Sequence, residues 1–255
     1  MFKSIFTIAR YTFREAIRNH LFILTVLGLI CFFGLTEFIG ELAITESQEL
    51  QATLLGSALR IFAILTVSLF VIVSMVREFN DKGFEYLLSL PIPRHNYLLG
   101  KLSGFLLFGL VISISIGILL LIYCKPSIAA LWSFSLFCEL SLIISLSIFC
   151  LFTFNNITLA YAVVMAFYFL SRSIETIQLI GGSPILQNEE ISQKFMNFII
   201  NMIAYVLPEL DTFTQSKWLA YGVEWSELNT VIVQTIIYLV LLISASLFDL
   251  YRKEL

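Results

Sequence analysis

The sequence contains few charged residues. Only 13% of its 255 residues are Asp, Glu, Lys or Arg, about half the share that soluble domains carry. Hydrophobic residues make up 59% of the chain, and its mean hydropathy is +0.93. A single soluble core cannot hide so much apolar surface in a chain of this length. The composition therefore excludes an ordinary water-soluble fold and predicts a protein that is surrounded by lipid.

Residues that perform chemistry are also scarce. The two histidines, His20 and His95, have no metal-ligand spacing, so no metal site is predicted. No nucleophile is paired with a base, and no broad basic patch outside the membrane-flanking segments indicates nucleic-acid binding. The cysteines form no C-x-x-C pair and lie in or beside apolar runs, which indicates small buried side chains and no disulfide framework. They are Cys31, Cys124, Cys138 and Cys150.

Six apolar runs are long enough to cross about 30 Å of hydrocarbon. They lie near residues 21–39, 57–76, 99–123, 128–152, 156–173 and 229–248. Because they are apolar on all sides and about twice as long as a barrel strand, they predict helices. The expected fold is all-α, a polytopic membrane protein with six spans in one permease domain over residues 1–255.

The basic residues predict the orientation of these spans. Ten of the fifteen Lys and Arg residues lie in three segments that an even number of spans places on one side. They are Lys3, Arg10, Arg14, Arg18, Arg77, Lys82, Arg94, Lys101, Arg252 and Lys253. By the positive-inside rule that side is the cytoplasm, so both termini are expected there.

The first twenty residues predict a different kind of helix. Phe6, Ala9 and Phe13 belong to an apolar stripe, which also includes Phe2 and Ile17. A basic stripe of Lys3, Arg10, Arg14 and Arg18 lies beside it. This pattern favours an amphipathic helix in the cytoplasmic interface, with its apolar face in lipid and its basic face toward anionic headgroups. A plain basic flank of the first span is the alternative.

Residues 174–228 form a long predicted outer-face segment between spans five and six. Within it, residues 191–207 are almost apolar enough to be a seventh span, but Lys194, Asn197 and Asn201 interrupt them. A seventh span would also move the basic C-terminal tail outside. We therefore expect a re-entrant or surface-lying helix that Pro208 ends. Trp218, Tyr221 and Trp225, which follow it, are expected in the outer interfacial belt.

The loop at residues 77–98 contains a short amphipathic segment between spans two and three. Gly83 permits a tight turn or a close approach, and Leu87 and Leu88 supply apolar contacts. Pro91 and Pro93 end the helix and stiffen the return to span three. A short cytoplasmic helix of this kind suits docking onto another protein, and a simple connector is the alternative.

These residues resemble the ABC-2 type permeases, the membrane-spanning subunits of ATP-binding-cassette exporters. The family pattern after span two has a Glu, then Gly-Thr-x-Glu-x-Leu-Leu-x-x-Pro, an Arg, and a Lys that opens span three. Phe84 stands where the family usually has Thr, and Glu85 follows Gly83 by two residues where the pattern has three. The N-terminal residues around Arg10, Arg14 and Arg18 resemble the family's elbow helix, and the run from Leu207 to Phe213 resembles a segment before its last span. The matching loop positions are Glu78, Gly83, Glu85, Leu87, Leu88, Pro91, Arg94 and Lys101.

The resemblance implies that residues Gly83 to Pro91 form the coupling helix that docks on an ATPase. No G-x-x-x-x-G-K-[ST] motif occurs in this chain, so ATP and Mg²⁺ are expected on a separate subunit and the chain itself is not expected to be an enzyme. The family pairs two permeases, identical or not, with two ATPases. The expected location is the bacterial cytoplasmic membrane, where the chain lies in the lipid bilayer.

Two ionisable residues lie within predicted spans. Glu139 is midway along span four, and Arg60 is near the outer end of span two. Charges at membrane depth are costly and usually functional, so Glu139 is a candidate to line a substrate path or to pair with Arg60. The alternatives are a hydrogen bond from Glu139 to a neighbouring helix and an Arg60 side chain that extends to the outer headgroups.

The sequence favours an ABC permease that exports a hydrophobic or amphiphilic substrate, because the spans are rich in Phe and poor in charge. The alternative is a secondary transporter or channel that needs no ATPase. Such proteins usually carry more ionisable residues or broken helices near the midplane. An intramembrane enzyme or an assembly scaffold is a third possibility, for which no catalytic set is present.

Overall fold

The computed structural model of the chain describes residues 2–42, 47–80, 93–154, 156–182, 191–223 and 225–252. Within these residues it contains nine α-helices, one short 3₁₀ turn and no strand. The helices are α1 (Phe2–Arg18), α2 (His20–Leu42), α3 (Ser47–Asn80), α4 (Arg94–Leu120), α5 (Pro126–Phe154), α6 (Ile157–Gly182), α7 (Ile191–Val206), α8 (Ser216–Tyr221) and α9 (Trp225–Arg252), and the 3₁₀ turn is Leu210–Thr212.

Six helices are long and apolar enough to cross a membrane: α2, α3, α4, α5, α6 and α9. The chain is therefore a multi-pass membrane protein by helix length and hydropathy. The predicted all-α fold with six long apolar helices is confirmed, and each predicted run overlaps one of these helices, although α3 begins ten residues earlier and α6 ends nine residues later than predicted. Helix α3 is the longest, at 34 residues, and its rise of about 50 Å exceeds the hydrocarbon thickness.

Helix α5 lies at the centre of the bundle. It packs against α3, α4, α6, α8 and α9, so it is buried on nearly every side. Its serines would leave unpaired hydroxyl groups in this apolar setting, but several of them bond a carbonyl one turn back along the helix. Ser141 Oγ donates to the Phe137 carbonyl at 2.7 Å, and Ser145 Oγ donates to the Ser141 carbonyl at 2.9 Å. These bonds satisfy the hydroxyls without water.

Helix α1 packs closely across the first half of α4. A Cβ atom built on Gly104 would lie 2.6 Å from Thr12 Cβ, and one built on Gly100 would lie 2.8 Å from Ile8 Cβ. Two glycines four residues apart therefore let the two backbones approach closely, as small residues do between membrane helices. The predicted N-terminal helix is confirmed. Its contacts differ from the expectation of an apolar face in lipid, because Ala9 is buried against α4.

The segment between α7 and α9 enters the bundle more deeply than the sequence predicted. The re-entrant or surface element was expected at 191–207, and α7 does occupy those residues, packing on α6 with Tyr205 exposed. The deeper insertion is made by residues 207–221, where Pro208 ends the helix and Phe213 and Trp218 are fully buried. Trp218 is therefore covered by protein, and its Nε1 donates to Glu227 Oε2 at 2.5 Å, whereas Tyr221 and Trp225 are 88% and 78% exposed. Their place in an interfacial belt stays a prediction.

Candidate functional site

The first candidate site lies at the end of the bundle where α3 ends at Asn80 and α4 begins at Arg94. We call this the loop end. Glu78 and Lys101 form an ion pair there, with Oε2 and Nζ 2.5 Å apart. Lys101 Nζ also lies 3.9 Å from Glu15 Oε2 on α1, and Ser74 Oγ on α3 donates to Glu15 Oε1 at 2.8 Å. These four residues, Glu15, Ser74, Glu78 and Lys101, are the loop-end cluster.

The loop-end cluster is only partly shielded from solvent. The Lys101 side chain is 8% exposed and that of Glu78 is 16% exposed, whereas that of Glu15 is 36% exposed. One cation therefore holds two carboxylates from two other helices in a partly dry setting. An ion pair of this kind fixes the distance between α1, α3 and α4 at the start of the 81–92 loop.

Arg94 anchors the other side of the same loop. Its Nη1 donates to the Leu250 carbonyl near the end of α9 at 3.2 Å. The adjacent His95 has Nδ1 3.5 Å from the Tyr251 hydroxyl. The first turn of α4 is therefore held to the last helix, so the loop leaves α3 and enters α4 at two anchored points.

The central residues of the predicted coupling helix lie outside the described residues. They are Gly83, Glu85, Leu87, Leu88 and Pro91. The docking role assigned to them from the sequence stays a prediction.

The predicted interfacial arginines lie on the free side of α1. Arg10, Arg14 and Arg18 are all exposed, whereas the opposite face of the helix is buried through Thr12 and Ala16. The basic stripe therefore points away from the bundle, as an interfacial role requires. Contact with anionic headgroups stays a prediction.

The second candidate site is a buried group of charges near the middle of α5. Glu139 is fully buried, and its Oε1 lies 3.6 Å from Nη1 of Arg172 on α6. Its second oxygen, Oε2, accepts a hydrogen bond of 2.5 Å from Thr214 Oγ1, on the inserted 207–221 segment. A carboxylate at this depth is tolerable because a cation and a hydroxyl both reach it.

Arg60 joins this group through the backbone of Thr214. Arg60 Nη1 donates to the Thr214 carbonyl at 2.8 Å, and the Arg60 side chain is buried. The predicted direct pairing of Arg60 with Glu139 is therefore replaced by a contact through Thr214, and the cation paired with Glu139 is Arg172. Arg60 also does not extend to the surface of the bundle, which was the alternative expectation.

Thr214 is the point at which the inserted segment is fastened. Its amide donates to Ser135 Oγ at 3.0 Å, so its amide, carbonyl and hydroxyl are each bonded by a different side chain of α3 or α5. Its φ of 43° is in the left-handed region, which a β-branched residue rarely adopts. The three bonds offset this strain, which typically costs about 1–3 kcal/mol. We call Arg60, Ser135, Glu139, Arg172 and Thr214 the central cluster.

Arg172 holds the inserted segment at a second point. Its Nη1 donates to the carbonyls of Leu210 and Phe213, the latter at 2.8 Å. Sequence reasoning did not single out Arg172, because it fell at the predicted end of span five. The signal available in the sequence was a cation within an apolar helix, one turn before the acid Glu175.

A pair of carboxyl groups lies beside Arg172. Asp211, in the 3₁₀ turn, lies beside Glu175 on α6. Burial of Asp211, and after it the interaction with Glu175, raise the pKa of Asp211 to about 7.

These two clusters can hold helices and backbone in place. No group of three His, Cys, Asp or Glu side chains in the described ranges could hold a metal ion. Neither Glu139 nor Arg60 lines any of the four cavities described. The role of these two residues in a substrate path stays a prediction. No protein-family model and no curated protein sequence matches the chain.

Proposed function

We propose that this chain is the membrane-spanning permease subunit of an ATP-driven exporter of the ABC-2 type. The observation that carries the proposal is the Glu78–Lys101 ion pair. It joins the two ends of the loop whose sequence resembles the family's coupling helix, and Lys101 extends it to Glu15 of the N-terminal helix. A loop that receives force from a partner needs such a base, because a flexible attachment would absorb the motion.

In this proposal the loop end faces the cytoplasm and two ATPase subunits dock on residues 81–92 of two permease copies. ATP binding brings the ATPases together, and the coupling helices carry that movement into α3 and α4. The movement is a rigid-body shift of packed helices between two states. ATP acts by favouring one state of the pore over the other, with no covalent step in the membrane subunit.

In this proposal the two ends of the bundle have different roles, and the central cluster supports this difference. It fastens residues 207–221 to α3, α5 and α6 through Thr214 and Arg172. We propose that this outer half is a preformed wall of the export path, whereas the loop end moves with the ATPases. A hydrophobic or amphiphilic substrate fits such a chain, whose spans present apolar surfaces.

Purification of the tagged chain from its native membrane tests the proposal. We expect a separate chain with a G-x-x-x-x-G-K-[ST] motif to co-purify and to hydrolyse ATP. Glu85→Arg should weaken this association at least tenfold, which corresponds to about 1.4 kcal/mol. Glu49→Arg makes the same charge change at the start of α3, on the opposite side in this topology, and should leave the association unchanged.

The alternative, a secondary transporter or channel, predicts a different result. A purified chain that moves its substrate in vesicles without any ATPase would contradict the proposal. Equal retention of the ATPase by Glu85→Arg and Glu49→Arg would contradict the docking role of the loop.

A further inference from the structure

An apolar groove lies along one side of the bundle, at the seam of α1, α4 and α5. Its first part has a volume of about 720 Å³ and is lined by the first turns of α1, from Lys3 to Ala9, and by α4 from Ser103 to Leu110. Phe137 of α5 completes the lining. These walls come from three helices that are far apart in the sequence.

The groove continues toward the other end of α4. Its second part has a volume of about 500 Å³ and follows the seam of α4 and α5 to Leu121 and Pro126. Leu110 and Phe137 line both parts, so the two volumes adjoin. From Ser103 to Leu121 the helix rises about 27 Å, close to the thickness of the hydrocarbon core.

The close contact between α1 and α4 creates the first part of the groove. Helix α1 sits directly on Gly104, and the groove lies beside this contact. Its lining includes the small residues Ala9 and Ser103. It also includes the large side chains Phe6 and Leu107, which are 70% and 46% exposed. The groove is therefore open to the surrounding lipid.

The polar groups of the groove indicate what it can bind. Ser103 Oγ already donates to the Gly100 carbonyl at 2.9 Å, so this hydroxyl offers no free donor to a ligand. Lys3 is the one charged residue among those that line either part. In the described part of the chain Lys3 has no ion-pair partner, and it begins the exposed basic stripe of α1. The groove therefore offers a long apolar slot with a single cation at one end.

We propose that this groove binds one anionic phospholipid, with an acyl chain along the seam and the phosphate at Lys3. The slot matches a hydrocarbon chain, and the cation matches a headgroup at the interface. The one positive charge among apolar lining residues matches an anionic headgroup, so charge complementarity favours the lipid over an apolar helix of a second copy. This inference goes beyond the proposed function and does not depend on any ATPase.

Native mass spectrometry of the full chain, released from detergent in the presence of defined lipids, tests this site. The probes are dioleoyl phosphatidylglycerol and dioleoyl phosphatidylcholine, which have the same chains and differ in headgroup charge. We expect one retained phosphatidylglycerol and weaker retention of phosphatidylcholine. A short-chain dihexanoyl phosphatidylglycerol should bind weakly, because it keeps the charge but cannot fill the slot.

Substitutions separate the two ends of the site. Lys3→Gln should lower the affinity for phosphatidylglycerol about fivefold, the effect of one basic residue near a membrane surface, and leave phosphatidylcholine unchanged. Arg10→Gln is the matched control, since it removes one charge from the same helix outside the groove. Leu107→Trp should lower the retention of both dioleoyl lipids, and its control is Val240→Trp on an exposed face of α9.

Several outcomes would overturn the inference. Equal effects of Lys3→Gln and Arg10→Gln would show only a general attraction between the basic stripe and anionic lipid. Unchanged lipid retention in Leu107→Trp would show that the slot is not the binding site. Conversion of a dimer to a monomer by Leu107→Trp, with lipid retention unchanged, would assign the groove to a second copy of the chain.

Discussion

The loop-end cluster and the central cluster both place charges between helices, but they hold different things together. The loop-end cluster joins three helices by side chains alone, and Glu15 keeps a third of its side-chain surface exposed. The central cluster joins helices to irregular backbone, and Glu139 has no exposed surface. Breaking a partly solvated contact costs less than removing a partner from a buried charge. In the proposed mechanism the loop-end cluster shifts as one rigid base together with the loop, whereas the central cluster stays fixed.

Removal of the central carboxylate should have the largest effect on stability. Glu139→Leu leaves the partly buried Arg172 without its Glu139 partner, and we expect a loss of about 3–5 kcal/mol in the free energy of unfolding. Unfolding in detergent by increasing denaturant measures it. Ser141→Ala, two residues from Glu139 on the same helix, should cost far less, because the Ser141 hydroxyl bonds only a carbonyl of its own helix. Equal losses in the two variants would contradict the special role of Glu139.

Disruption of the loop-end cluster should have a smaller effect. Lys101→Met removes the cation that pairs with both Glu15 and Glu78. We expect a loss of about 1.5–3 kcal/mol in the free energy of unfolding. A double-mutant cycle with Glu78→Gln measures the coupling within the pair. If Lys101→Met costs more than Glu139→Leu, the distinction between a mobile end and a fixed centre is wrong.

The packing of α1 against α4 can be tested independently of the two charged clusters. Gly104→Ala places a methyl group against Thr12 and the Ala9 carbonyl, so we expect a loss of about 1–2 kcal/mol and a weaker Glu15–Lys101 contact. Gly34→Ala is the matched control, because nothing lies within 4 Å of the added atom. Thermal unfolding in detergent compares the two. A similar melting temperature for both would mean that the glycine contact does not hold α1 in place.

The carboxyl pair next to the central cluster should give the smallest effect, visible as a pH dependence. The pKa of Asp211 is raised to about 7, whereas an unfolded Asp titrates near about 4. The folded chain therefore retains a proton that the unfolded chain has released. This stabilising contribution is fully present below about pH 4 and is lost as the pH rises through about 7.

Hydrogen exchange of residues 207–221 measures this dependence. After correction for intrinsic exchange rates, we expect faster opening at pH 8 than at pH 5.5. Asp211→Asn should remove the difference, and Glu209→Gln, at an exposed acid nearby, should retain it. A segment whose opening is independent of pH in the unaltered chain would contradict the assigned proton.

The spans could be predicted from the sequence because membrane helices satisfy their own backbone hydrogen bonds. Whether a long apolar run forms a helix therefore depends on its own residues, as for α5. The contact between Lys101 and Glu78 could also have been predicted, because the two residues lie on either side of one short loop. Their pairing needs little more than the antiparallel return of α4 beside α3.

The central cluster could not be predicted in the same way. Glu139 was singled out by its cost in an apolar span, but Arg172 and Thr214 come from distant parts of the chain. No local pattern shows that residues 207–221 enter the bundle, since their burial depends on a space that three other helices leave. The left-handed backbone of Thr214 is a further consequence of that tertiary fit.

The central claim is that the loop between α3 and α4 lies in the cytoplasm, where an ATPase can reach it. Labelling of Ser89→Cys with a membrane-impermeant maleimide tests it, in a chain whose Cys31 and Cys124 are replaced by serine. Tyr221→Cys serves as the outer reference, since Tyr221 ends the inserted segment and is 88% exposed. We predict that intact cells label Tyr221→Cys and that Ser89→Cys reacts only after the membrane is permeabilised. Labelling of Ser89→Cys in intact cells would contradict the account.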